Sequence, residues 1–301
     1  MKGGETLISA LRVRPGERAR LAARPTTWTG DGDLAHLSRH ELDEKAKGIL
    51  AEGVEELAEA QELLWASDRN AVLAIFQAMD AAGKDSTIKH VMSGVNPQGV
   101  KVVSFKQPSD EELDHPFLWR VWNAVPERGQ IGIFNRSHYE EVLVVRVHPA
   151  ILDGQRLPPG ERDEKFWAAR FDDINAFERH LARNGTTIVK FFLHVSKEEQ
   201  KRRFLRRLDH PEKNWKFSAA DVAERRFWDD YQNAYEDAIT ATSTEWAPWF
   251  VIPADHKPVM QAMVASILVH SIEDLDLQWP KVSKEEKNAS ATARRELEEE
   301  E

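Results

Sequence analysis

Five short apolar runs punctuate this chain, at 71–76 (AVLAIF), 100–105, 130–134, 186–195 and 248–252. Each is bounded by polar or turn residues, as buried strands are. Between the runs, apolar positions recur at helical spacing. Ser38 and Glu41 form a capping box, and Leu42, Ala46, Ile49, Leu50, Val54, Leu57 and Leu64 then predict a helix to about Ala66. Ile88, Val91, Met92 and Val95 cover one face of a helix after the first run. Ser109 and Glu112 open a helix through Trp119, Arg120 and Trp122, and Ser137 starts another. The stretch 149–159 reads as a loop. Further helices are predicted over 163–183, from Ser196, from Ser218 through Trp228, Tyr231, Tyr235 and Ile239, and from Pro258 to about Leu277.

Five strands alternating with helices predict an α/β fold, a five-stranded parallel sheet wound on both faces with right-handed crossovers. Residues 1–37 show no period and are expected to be an irregular extension. The domain proper is 38–282. The last stretch, 283–301, ends RRELEEEE and reads as a charged, solvated tail. There is no internal repeat.

Composition narrows the function classes. A total of 301 residues suits one α/β core with insertions. The net charge is −10, which argues against nucleic acid as a partner. No cysteine is present, so disulfides, thiolate zinc sites and a cysteine nucleophile are excluded. No apolar run approaches the ~20 residues of a membrane span, and no apolar leader is evident, so no membrane partner and a cytoplasmic location are expected.

The candidate chemistry begins where the first strand ends. Gln77-Ala-Met-Asp80-Ala-Ala-Gly83-Lys84-Asp85-Ser86-Thr87 places a Gly-Lys pair between a strand and a helix. Backbone N–H groups at a helix start favour an anion there, and a lysine can reach its outer phosphates. The match to a phosphate-binding loop is imperfect, since Ala78 replaces the first glycine and Asp85 the metal-binding hydroxyl. An ordinary strand-to-helix turn with a surface lysine is the plain alternative. Against it stands Asp80, a carboxylate that would repel the anion unless it managed a metal or a proton. Asp80, Lys106 and Arg136 all follow strand ends, where ligands bind on such sheets.

Four segments read together, MDAAGK (79–84), VSFK (103–106), FNRSHYE (134–140) and RRLDHPEKNWK (206–216), resemble the second family of polyphosphate kinases. The resemblance spans roughly 45–280 and implies a P-loop kinase-like fold with a basic helical lid at about 200–220. It implies phosphoryl transfer between inorganic polyphosphate and AMP, ADP or ATP, with Mg2+ (or Mn2+) and a homo-oligomeric assembly. Asp80, Lys84, Arg136 and Glu140 would be catalytic, with Asp80 and Glu140 holding the metal. Ala82, Gly83, Asp85, Ser86, Thr87, Lys106, Arg120 and Asn135 would contact phosphate or nucleotide. The lid would present Arg202, Arg203, Arg206, Arg207, Lys213 and Lys216 to polyphosphate. The commoner family pattern has aspartate and asparagine where this chain has Asn135 and Glu140, and the variant looks like the subgroup that accepts both mono- and diphosphates. Glu140 is either a metal ligand or the ion-pair partner of Arg136.

Lid arginines one helical turn apart repel unless an anion or nearby acids intervene; Glu198, Glu199, Asp209 and Glu212 are the acids available. His138 is expected to pack beside Tyr139, and His194 to lie in the core. Two other functions stay open: an ATP-dependent nucleoside monophosphate kinase, and a non-catalytic module that binds polyphosphate or nucleotide.

Overall fold

The middle of the sheet is built from strands whose sequences leave little or no polar face. The computed structural model describes residues 2–30, 34–216 and 218–300, with the side chains of residues 2–5, Lys213 and Lys216 outside that description. Strand β1 (Arg12–Val13) is short and β2 (Ala71–Gln77) is buried along its whole length. Both edges of β2 are occupied in parallel. Its neighbours are β4 (Ile131–Asn135) and β5 (Thr186–His194), with β3 (Val100–Ser104) outside β4 and β6 (Trp249–Pro253) outside β5. A strand covered on both faces must be apolar throughout, which is why 71–76 reads as an unbroken run.

These are the five parallel strands expected from the sequence. The sixth, β1, joins antiparallel to β6 and completes the order β1-β6-β5-β2-β4-β3. It lies in the segment expected to be irregular, and that expectation is corrected there. Helix α1 (Lys2–Leu11) precedes β1, and Leu11, Val13, Ala19 and Leu21 are buried in the core. Arg24 donates to the carbonyls of Ala10, Leu11, Arg12 and Ala19, while Glu236 accepts from the N–H groups of Arg20 and Leu21. Order that rests on side-chain bonds to distant backbone leaves no period in the local sequence. Residues 31–33 of this segment lie outside the described residues.

Helix α2 (Arg39–Ser67) starts at the expected capping box, and α3 (Lys84–Val91) follows β2. The single helix expected after Ser109 is two short ones, α4 (Asp110–Leu113) and α5 (Trp119–Trp122), separated by Pro116, which has no N–H to continue a helix. After β4 come a 3₁₀ turn, His138–Val142, then α6 (Val144–Val147) and α7 (Ala150–Asp153), the last inside the stretch read as loop. Helices α8 (Glu164–Arg183) and α9 (Lys197–Asp209) flank β5 and are capped by Asp163 and Ser196. The long helix expected from Ser218 is α10 (Ala219–Glu224), a 3₁₀ turn, and α11 (Trp228–Thr242). Helix α12 (Lys257–Glu273) follows β6, and α13 (Lys284–Glu299), exposed throughout and capped by Ser283, occupies the stretch read as a charged, solvated tail.

Helices α2, α3 and α12 pack on one another; α11 packs against α6 and α8. The chain runs from β2 out to β3, then returns past β2 to β5, so its winding direction reverses between β2 and β4. Crevices at such reversals, beyond the carboxyl ends of the strands, are where ligands bind.

Beneath that crevice lies a buried polar network. Lys190 Nζ on β5 donates to Glu178 Oε2 (2.5 Å), the Tyr139 hydroxyl (2.9 Å) and the Thr242 carbonyl (2.8 Å). All three ammonium donors are thereby used. Burial lowers the Lys190 pKa against the pull of Glu178. Burial would raise Glu178, yet Lys190 and His138 hold its carboxyl below the usual range. The network pins Tyr139, and with it the 138–142 turn. His138 is buried, its ring 4.7 Å from that of Tyr139, and His194 is buried with its pKa pushed down to about 4 by burial. Both match the sequence expectation. Among the described residues no helix is long and apolar enough to cross a membrane.

Candidate functional site

Strand β2 hands the chain to the 78–83 loop, which reverses direction before α3. Ala81 (φ 60°) and Gly83 (φ 115°) both sit in the left-handed region. Glycine suits the second: besides its φ, an added Cβ would lie 3.3 Å from the Met260 side chain. Helix α9 holds the loop from behind. Gln200 Nε2 donates to the Asp80 carbonyl (2.9 Å), and Arg203 donates to the carbonyls of Ala81 and Ala82. The first N–H groups of α3 have no partner within their own helix, and Gly83 to Ser86 line a cleft in front of them.

Lys84 and Arg136 supply the positive charge at this point. Lys84 Nζ donates to the Ala78 carbonyl (2.9 Å). Burial and the nearby Arg136 lower its pKa to about 8, against the opposing pull of Asp80, Glu140 and Asp85. Arg136 follows β4 in the left-handed conformation (φ 62°), its N–H donating to the Phe76 carbonyl (3.1 Å). A non-glycine residue held there is strained, and such strain is found at functional sites. Its guanidinium forks, one arm on Asp80 Oδ1 (2.8 Å) and the other on Glu140 Oε2 (3.0 Å). Glu140 and Asp80 outweigh the cost of burial and raise the arginine's pKa.

Two clefts meet at Arg136. One, of about 680 Å³, is basic and holds Asp80, Lys84, Arg206, Arg207 and Lys257. The other, of about 820 Å³, has apolar walls including Phe105, Pro108, Phe117 and Val144, with Glu140 near Arg136 and Glu141 and Arg170 as further charges. Phe105, Lys106 and Arg136 belong to both. Glu141, its pKa raised by burial, pairs with Arg170 (3.2 Å) and accepts from Gln155 (2.7 Å).

The structure brings most of the expected residues to these clefts and removes some. Asp85 Oδ1 accepts from Asn135 Nδ2 (2.7 Å), so the substituted asparagine positions the loop-end carboxylate. Ser86 lines the basic cleft and accepts from Gln261 (3.2 Å). Thr87 is corrected: it is fully buried and its hydroxyl donates to the Gly83 carbonyl (3.0 Å), which closes the first turn of α3. The Ala82 side chain is buried too, and its carbonyl faces Arg203. Arg120 lies over the Phe105 ring and donates to the Lys106 carbonyl (2.9 Å) and Glu112 (3.3 Å), so it braces the apolar cleft.

In the lid only part of the expected set faces the cleft. Arg206 and Arg207 line it, the latter 3.6 Å from Asp221. Arg202 is corrected: it is an exposed residue forked onto Glu199 (2.6 Å) and is not part of the cleft lining. Arg203 reaches the wall but is buried, its guanidinium turned to backbone carbonyls and Glu199. Pairing with Glu199 is thus how the adjacent arginines are tolerated. The side chains of Lys213 and Lys216 lie outside the described residues.

Four participants escaped sequence reasoning. Lys257, the first residue of α12, stands in the basic cleft, its pKa lowered to about 8 by burial and by Arg203, Arg206 and Arg207. It follows a strand end, the same signal that picked out Lys106. Asp221 and the Glu141–Arg170 pair come from segments distant in sequence and gave no local signal. Among the described residues no group of three or more His, Asp or Glu side chains is arranged to hold a metal. Asp80 Oδ2 and Glu140 Oε1 nevertheless lie outside the bonds to Arg136.

A family model described as polyphosphate kinase 2 matches residues 40–280. An ADP-polyphosphate phosphotransferase of Rhodopseudomonas palustris is 52% identical over 273 residues, 90% of this chain and 92% of that protein. An AMP/ADP-polyphosphate phosphotransferase of Meiothermus ruber is 52% identical over 224 residues, 74% of this chain and 80% of the relative. The crystal structure of polyphosphate kinase 2 from Arthrobacter aurescens superposes with a TM-score of 0.81 at 39% identity, covering 94% of this chain and 96% of that one.

Proposed function

The chain belongs to the polyphosphate kinase 2 family, and from that premise we propose how its two clefts divide the work of a polyphosphate-dependent AMP/ADP phosphotransferase. The observation that carries the proposal is the junction at Arg136. The basic cleft matches a linear polyanion, the apolar one matches a nucleotide with its base, and only phosphates would meet between them. Phosphoryl transfer asks the protein mainly for in-line positioning and charge neutralisation. The α3 N–H groups and Lys84 would hold the transferring phosphate. Arg136, fixed by Asp80 on the donor side and Glu140 on the acceptor side, would neutralise the charge that develops between them. Arg206, Arg207 and Lys257 would hold the following phosphates.

Kinases of this family generally need a divalent metal. Magnesium takes one or two carboxylates and completes its shell with substrate phosphates and water. The oxygens of Asp80 and Glu140 left over by Arg136 fit that pattern, and Mg2+ or Mn2+ would there neutralise phosphate charge. A coupled luminescence assay without added ATP tests the donor: polyphosphate with ADP, and with AMP, should yield ATP. Phosphorylation of AMP by ATP alone, with polyphosphate inert, would instead indicate a nucleoside monophosphate kinase.

Two further outcomes follow from named groups. Glu140 lines the acceptor cleft but not the donor cleft, so Glu140→Asn should cut kcat/KM for AMP more than for ADP, whose extra phosphate reaches further toward the donor. An unchanged AMP-to-ADP ratio would assign Glu140 to Arg136 alone. The pH dependence comes from Lys84 and Lys257, both near 8. Each is a cation below that value and neutral above it, and a polyanion binds the cationic form. Polyphosphate affinity, measured by titration calorimetry, should therefore weaken as pH rises through about 8 to 9. A flat profile from neutral pH to about 9.5, well past the lysine values, would contradict this.

A further inference from the structure

Arg203 has the charge and the location of a polyphosphate ligand, but its bonds exclude that role. A guanidinium carries five N–H donors and no acceptor. Here Nε donates to Glu199 Oε1 (2.7 Å) and one terminal nitrogen to the carbonyls of Ala81 (3.1 Å) and Ala82. The other terminal nitrogen donates to the carbonyls of Ala254 (2.6 Å) and Asp255 (3.3 Å). Five donors therefore meet five acceptors, on a side chain only 6% exposed. Glu199 lies on α9 itself, and the four carbonyls belong to the 78–83 loop and to the segment just after β6, which Arg203 ties together. Gln200, one turn earlier on α9, adds the Asp80 carbonyl, so three consecutive loop carbonyls are held from α9. One of them belongs to Ala81, whose left-handed backbone needs such restraint.

The clamp is itself braced. Asp255 Oδ1 accepts from the Ser196 N–H (2.8 Å) at the start of α9, and its Oδ2 accepts from the hydroxyls of Thr26 (2.8 Å) and Thr27 (3.1 Å). Those threonines lie in the N-terminal segment, outside the 40–280 span that the family model matches.

We propose that Arg203 is a positioning residue, which fixes the phosphate loop through its carbonyls and gives no donor to polyphosphate, with Asp255 and the N-terminal segment as its brace. This rests on the reading of the basic cleft as the polyphosphate site. The test is Arg203→Lys, which keeps the charge but offers three donors to five acceptors. It should lower kcat about 100-fold, the scale of a small misplacement of reacting groups. Calorimetric titration of polyphosphate at several salt concentrations should give the wild-type salt slope for both Arg203→Lys and Arg203→Gln. A phosphate ligand behaves differently: Arg203→Lys would keep most of its activity, and Arg203→Gln would flatten the slope by about one counterion. Either result overturns the proposal. Arg207→Gln is the control and should flatten the slope. If it does not, the reading of the cleft fails, while the kcat of Arg203→Lys, measured below its melting temperature, still decides the role of Arg203.

Discussion

Lys84→Ala will lower kcat/KM for phosphoryl transfer about 10²–10³-fold, on the order of 3 to 4 kcal/mol of transition-state stabilisation, in a protein that still folds. The magnitude is that of removing one preorganised donor aimed at developing charge. Folding should survive because Lys84 contributes one bond, from Nζ to the Ala78 carbonyl, while Gln200 and Arg203 hold the loop independently. Burial also lowers the lysine's pKa, so its charge is carried at a cost that its removal relieves. The check is steady-state kinetics with polyphosphate and ADP beside a thermal melt. Activity within about tenfold of wild type would remove the 78–83 loop from the chemistry, since one lost donor of this kind costs more than that.

Arg136→Lys carries the next largest effect. A lysine keeps the charge but not the planar fork, and it cannot bond Asp80 Oδ1 and Glu140 Oε2 in their present places. Two carboxylates that now share one cation would repel each other across the junction of the clefts. Charged hydrogen bonds contribute about 1.5–3 kcal/mol each, so a loss of about 10²-fold in kcat/KM is expected for both AMP and ADP. Equal losses are the signature, because Arg136 alone among the catalytic candidates borders both clefts. A variant impaired with one nucleotide and normal with the other would place Arg136 on the acceptor side only.

The five parallel strands were legible as short apolar runs, clearest at 71–76, where burial along the whole strand leaves no polar position, and weakest at the largely exposed edge strand β3. Ser38–Glu41 and Ser109–Glu112 were legible because a capping box is a local device. The order within 2–30 was not, since it depends on Arg24 folding back onto carbonyls earlier in the segment and on Thr26 and Thr27 reaching the distant Asp255. At the site, Asp80, Lys106 and Arg136 could be picked out as polar residues following strand ends, and Lys84 from the Gly-Lys pair between a strand and a helix. What sequence could not supply was direction. Arg202, Arg203 and Arg206 look alike in a basic helix, yet one faces outward onto Glu199, one faces the loop carbonyls, and one faces the cleft. Thr87 likewise sits beside Ser86 in sequence but turns into its own helix.

Phosphorus-31 NMR of the protein with polyphosphate, magnesium and AMP, with no ATP added, tests the central claim most directly. Polyphosphate and nucleotide should meet in one active site at Arg136. The account predicts that polyphosphate chain signals decline as the β-phosphate of ADP and then the γ-phosphate of ATP appear, with inorganic phosphate staying low. Loss of polyphosphate signal into inorganic phosphate, or no change in it while AMP persists, would contradict the account.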